Sequence, residues 1–138
     1  MKSTVRSGLV LTVALILLWV FIPAPTVRLE LLPHKQVRTK ATMEEKRENK
    51  ALIVSYSRAL GYDKRERTCL IALWTRESRL DHYAKNRHGS SAFGIAQLLG
   101  ERSREPELQI LHGIRYIEYR YRGSACRALA HHRGRGWY

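Results

Sequence analysis

Glu77 stands out because of its company. Leu70, Leu73, Trp74 and Glu77 recur at i, i+3, i+4 and i+7, the spacing of one helix face. A carboxyl on an apolar face is expensive if ionised and unpaired. Burial penalises the charged form, so the pKa should rise. A carboxylic acid still protonated near neutral pH can protonate the leaving oxygen of a glycosidic bond. The competing reading is a structural ion pair with Arg76, Arg79 or another arginine, and from the helix alone it is the stronger of the two.

Further along the chain, Gly89-Ser90-Ser91-Ala92-Phe93-Gly94-Ile95-Ala96-Gln97 follows a polar stretch. Small residues and glycine let backbone turn tightly and approach a ligand. Gln97 offers both a donor and an acceptor, suited to sugar hydroxyls and acetamido groups. Tyr116, Tyr119, Tyr121, Trp137 and Tyr138 could stack on sugar rings, although for Tyr116 and Tyr121 a core position fits equally well. Asp81, four residues after Glu77, is the nearest candidate for a second carboxylate, with a helix-end or loop cap as the alternative. Six histidines raise the question of metal, but no His-Glu-x-x-His or paired-cysteine motif occurs, and neither metal nor cofactor is expected.

Helices must carry these groups. Met43 to Leu60 reads as a helix, charged in its first half, with Leu52, Ile53, Tyr56, Ala59 and Leu60 at helical spacing in its second. Gly61 is a stop signal. Asp63 and Glu66 resemble a capping box opening the helix that carries Glu77. Residues 81–92 read as loop, and a short helix is predicted from Phe93 to about Leu99. Pro106 suits the first turn of a helix running to about Arg122, with Leu108, Leu111, His112, Gly113, Ile114, Tyr116, Ile117 and Tyr121 along it. Gly123 ends it, Ser124 caps a last helix from Ala125 to about His131, and the tail RGRGWY reads as loop. Strand-like alternation of useful length is lacking, so the fold class is all-α.

Length, charge and cysteines bound the rest. The chain has 138 residues, room for one domain and a tether. Its net charge is +13, and Lys2 and Arg6 are the only charges before Pro25. Such a charge attracts polyanions, whether nucleic acid, anionic lipid or wall polymer. The basic residues are spread rather than striped, which weighs against a nucleic-acid-binding module. Gly8 to Ala24 is uncharged and almost wholly apolar, short but adequate for a membrane-spanning helix. Cleavage after Ala24 would put Ile22 at the −3 position and Pro25 after the cut, so an uncleaved anchor is favoured over a signal peptide or a buried core helix. Residues 1–24 are then anchor, 25–42 linker and 43–138 the functional domain. Cys69 and Cys126 can pair, closing a loop of about 57 residues, or remain buried thiols; spacing alone leaves both open.

Three blocks in order carry a family resemblance. They are Glu77-Ser78; Ser90-Ser91-Ala92-Phe93-Gly94-Ile95-Ala96-Gln97; and His112-Gly113-Ile114-Arg115-Tyr116-Ile117 with Ala128-Leu129-Ala130-His131-His132-Arg133-Gly134. They resemble the Glu-Ser pair, the Ser-Gly-Ala-x-Gly-Leu-x-Gln block, and the Gly-Ile-x-Tyr-Leu helix with Ala-Leu-Ala-x-Tyr-Asn-x-Gly of the lytic transglycosylase group of the lysozyme-like superfamily, phage and plasmid versions included. The likeness spans about residues 65–138. It implies a small lysozyme-like helical domain that cuts the β-1,4 bond between N-acetylmuramic acid and N-acetylglucosamine in peptidoglycan. Glu77 would be the catalytic acid and base, leaving a 1,6-anhydro end. Ser78, Ser90, Ser91, Ala92, Gly94, Gln97, Tyr116, His131 and His132, joined by Trp137 near the tail, would bind substrate.

Two departures are specific. Ser91 stands where the family has glycine, and His131-His132 replaces its Tyr-Asn pair. In the tyrosine's place, His131 would hydrogen-bond Glu77 or, protonated, lower its pKa. The partner implied is the glycan strand, not nucleic acid, and a monomer is expected. The domain would be membrane-held outside the cytoplasm, or secreted or virion-associated. A muramidase of the same fold and a catalytically inactive wall-binding or structural protein are the alternatives.

Overall fold

The structure, a computed structural model, describes residues 37–86 and 88–138. The expected anchor at 8–24 and most of the linker lie outside the described residues. Among the described residues, no helix is long and apolar enough to cross a membrane.

Local capping chemistry sets the helix starts. Helix α1, Met43–Ala59, opens at Thr42, whose side chain accepts from the Glu45 N–H while the Glu45 carboxylate accepts from the Thr42 N–H. Helix α2, Lys64–Ser78, opens at Asp63, which accepts from the Glu66 N–H at 2.7 Å. Here the expected capping box is corrected. The Glu66 carboxylate accepts from Ser124 Oγ at 3.0 Å and from the Cys126 N–H at 2.9 Å. It thus serves the N-terminus of another helix, where unpaired N–H groups and the helix dipole favour an anion. That helix is α4, Ala125–Arg135, with Ser124 as its N-cap. It runs four residues past the expected end near His131, so only Gly136-Trp137-Tyr138 of the tail is non-helical. Between them lies α3, Pro106–Tyr121, with proline in its first turn.

Four helices account for most of the described residues, so the domain is all-α apart from one small hairpin. Ile53 of α1, Leu70, Leu73 and Trp74 of α2, Ile110, Ile114 and Ile117 of α3 and Leu129 of α4 meet in one core. Ala59 and Leu60, expected on the inner face of the first helix, are exposed. Helix α2 lies against α4, and the Cys69–Cys126 disulfide joins them with Cα atoms 4.9 Å apart. Gly113 is required by packing. A Cβ there would come within 2.5 Å of the Trp74 ring and 2.9 Å of the Ala96 methyl.

The segment from Phe93 to Leu99 is not the expected helix. It is a tight antiparallel hairpin of β1, Ala92–Phe93, and β2, Leu98–Leu99, with Ala92 opposite Leu99. Gly94 at φ +78° and Gln97 at φ +50° make the turn. Gln109 on α3 holds it. Its Oε1 accepts from the Ile95 N–H at 2.8 Å, and its Nε2 donates to His82 O and Ser103 O at 3.0 and 2.8 Å. A side chain on Gly94 would occupy the space of that amide. These partners are distant in sequence, so local helix propensity loses to a buried amide with all its groups paired.

The loop after α2 is tied just as firmly. Asp81 is buried, accepts from the Ala41 and Tyr83 N–H groups at 3.0 and 2.9 Å, and faces Lys46 Nζ at 3.6 Å. The last linker residues are thereby packed onto the domain before α1 begins.

Candidate active site

Helix α2 ends by delivering Glu77 into a cleft of about 680 Å³. Ser90 and Ala92 come from the hairpin approach, Gln97 from its turn, Tyr116 and Arg120 from α3, and Trp137 and Tyr138 from the tail. The Glu77 side chain is 15% exposed. Burial pushes its carboxyl up to about 7. Among the described residues, no arginine forms the structural ion pair with this glutamate. Its nearest titratable neighbour among the described residues is His132, whose Nε2 lies 3.2 Å from Oε1. Burial, Arg76 and His131 hold His132 below its ordinary value, so at neutral pH it is an uncharged imidazole.

Hydrogen bonds tie together the residues beside the carboxyl. Tyr138 OH accepts from Trp74 Nε1 at 3.0 Å and donates to Ala96 O at 2.7 Å. Tyr116 OH donates to the Tyr138 carbonyl at 3.0 Å. Gln97 Nε2 donates to Ala84 O and Gly94 O at 3.0 and 2.9 Å, which fixes the side chain and leaves its oxygen able to accept from a ligand. Trp137 is half exposed, and the Arg120 guanidinium sits 4.9 Å from its ring centroid. The wall therefore offers an apolar stacking plate beside fixed polar groups, a combination suited to sugar rings.

Of the residues singled out from sequence, Glu77, Ser90, Ala92, Gln97, Tyr116, Trp137 and Tyr138 line this cleft. Others support it. Ser78 Oγ donates to Ile95 O at 2.7 Å, pinning the end of α2 to the hairpin turn. Ser91 Oγ accepts from the Gly100 N–H at 3.1 Å and closes the hairpin. Gly94 leaves room for Gln109. His131, expected beside Glu77, is not there, and neither His131 nor His132 is among the described lining residues. His131 Nδ1 is engaged with Tyr121 OH and Trp137 O at 3.2 and 2.9 Å, and His132 is the one beside Glu77. On α4 consecutive residues point about 100° apart, so the choice between the two depended on helix phase.

Asp81 is committed to the loop and is not in the cleft, which corrects its reading as a second carboxylate there. Tyr138 and Tyr121 are buried, and Tyr119 is exposed away from the cleft lining. Asn86, Leu98, Leu99 and Arg120 are lining residues that sequence reasoning missed. Arg120 was accessible to it, one helical turn after Tyr116. Among the described residues, no group of three or more His, Cys, Asp or Glu side chains could hold a metal ion.

Comparison with protein-family models finds no match to this chain, and comparisons with curated proteins and with solved structures find none either.

Proposed function

We propose that this protein is a lysozyme-like lytic transglycosylase that cleaves the β-1,4 bond between N-acetylmuramic acid and N-acetylglucosamine in peptidoglycan. The observation that carries the reading is Glu77, a largely buried carboxyl pushed up to about 7, in a cleft walled by Ser90, Gln97, Tyr116 and Trp137. Near neutral pH such a group still holds a proton to give.

In the reaction, protonated Glu77 donates to the glycosidic oxygen as the bond to the muramoyl C1 breaks. The resulting carboxylate takes the proton of the muramoyl 6-hydroxyl as that oxygen bonds to C1. The products are a free 4-hydroxyl and a 1,6-anhydro end, with Glu77 protonated again and no water consumed. One carboxylate suffices because the nucleophile is already part of the substrate, at high effective molarity. A hydrolase would place a second carboxylate to activate water. Among the described residues lining the cleft, Glu77 is the only acidic one, which favours the transglycosylase over a muramidase.

Export fits the same reading. A disulfide is at home in an oxidising compartment. The uncharged apolar run at 8–24 suits a membrane anchor, and the net charge of +13 suits an anionic wall. The test is mass spectrometry of peptidoglycan digested by the full chain. Anhydro-muramoyl ends support the transglycosylase; reducing ends would make it a muramidase; intact glycan would leave only a wall-binding role.

A further inference from the structure

A second cavity, of about 560 Å³, adjoins the cleft, and Asn86 lines both. Its apolar lining includes Tyr83 and Phe93, and Lys40, Lys85 and Arg104 stand around it. The charges nearby do not cancel. Arg38 is paired with Glu45 at 2.6 Å. Asp81, the one acidic residue among the described residues lining the cavity, is matched by two backbone N–H groups and Lys46. Lys40, Lys85 and Arg104 make no ion pair among the described residues and are solvent-exposed.

We propose that this cavity is an accessory site for the carboxylates of the peptide stem borne by muramoyl residues, so that the enzyme reads the stem as well as the glycan. The inference rests on the function proposed above for the neighbouring cleft. Three features select such an occupant. The cations call for an anion. The aromatic and aliphatic lining calls for a ligand with apolar side chains as well. Contiguity through Asn86 calls for a group covalently carried by the strand in the cleft, as a short peptide on alternate sugars is. Exposed cations each contribute little, so several must act together and the binding should weaken with salt.

The test is calorimetric binding to full-length Glu77→Gln protein of a peptidoglycan disaccharide, the same disaccharide carrying its tetrapeptide, and a poly(glycerol phosphate) oligomer. The expected result is a preference for the stem-bearing fragment over the bare disaccharide of about fivefold or more, lost at high salt. Lys85→Gln/Arg104→Gln in that background should abolish the preference and leave bare-disaccharide affinity unchanged; both residues are exposed, and circular dichroism checks the fold. Equal affinity for the two fragments, an undiminished preference in the double variant, or tighter binding of the phosphate oligomer would overturn the inference. Binding is read apart from turnover. Stem preference in a protein that cuts no glycan would sink the catalytic reading alone, and glycan cutting with no stem preference would sink this one alone.

Discussion

The His132 imidazole Nε2 sits 3.2 Å from the Glu77 carboxyl, and the two groups are perturbed in opposite directions. Burial pushes Glu77 up to about 7 and, helped by Arg76 and His131, pushes His132 down. A proton shared by this pair therefore resides on the carboxyl near neutral pH. His132 Nδ1 is buried without a hydrogen-bond partner among the described residues, which further disfavours the doubly protonated ring. An acid next to a histidine would ordinarily lose its proton to it; here the environment reverses the order.

That order gives a pH profile. Activity should fall as pH rises through about 7, where Glu77 ionises. Because burial alone sets that value, His132→Gln should leave the alkaline limb near its place and lower turnover by less than about tenfold. His132→Lys puts a fixed cation beside the carboxyl and should move the limb about one unit or more toward acid. Glycan release measured from pH 4 to 9 for the three proteins checks this. An unmoved limb in His132→Lys would disprove the coupling.

Stability should carry the same signature. The folded-state value of Glu77, about 7, lies above its ordinary 4.5. The folded state thus prefers the protonated form, and the stability present below pH 4.5 is lost as pH rises through about 7. Glu77→Gln escapes that loss. It should be more stable than the parent by up to about 3 kcal/mol at pH 8 and indistinguishable at pH 4. Urea denaturation at the two pH values measures the difference.

The disulfide between α2 and α4 should matter for the site as well as the fold. Closing a loop of 57 residues stabilises by about 4 kcal/mol in the chain-entropy view. Cys69→Ala/Cys126→Ala should lose most of this, seen as a lower Tm, and reductant should lower the Tm of the parent but not of the variant. Since α4 lies against α2, which carries Glu77, loosening that contact should let water reach the carboxyl and move the alkaline limb toward acid in the variant.

Gln109 should be as costly to lose as a core residue. Replacing it by leucine removes the acceptor for Ile95 N–H and the donor to His82 O and Ser103 O, all buried or partly buried. About 2–4 kcal/mol of stability should go, with the hairpin turn at Gly94 loosened and Gln97 displaced in the cleft wall. Proteolysis within residues 90–100 at native pH reads the loosened hairpin. Unchanged protection would contradict the role given to this amide.

How far the sequence could be read follows where the determining contacts lie. The helix starts at Thr42, Asp63 and Ser124 rest on a side chain that accepts from the N–H three residues on, and the start at Pro106 rests on proline in the first turn, so all are local in the chain. Glu77 was legible because its type conflicts with its helix face. The hairpin was not, because Gln109 imposes it from another helix. That His132 and not His131 meets Glu77 was not legible, because one residue of helix phase, about 100°, decides which ring faces the carboxyl. Glu66 misled for a related reason: a local partner existed, and a distant helix N-terminus took it instead.

The proton on Glu77 is best examined through solubilisation of purified sacculi by the parent and by Glu77→Gln, side by side at pH 6, with sedimentation to measure wall binding. The expected result is release of anhydro-ended fragments by the parent and a drop of about 10²–10⁴ in rate for the variant, which still pellets with the sacculi. Clearance by Glu77→Gln at the parental rate would contradict the assignment of this carboxyl as the proton donor.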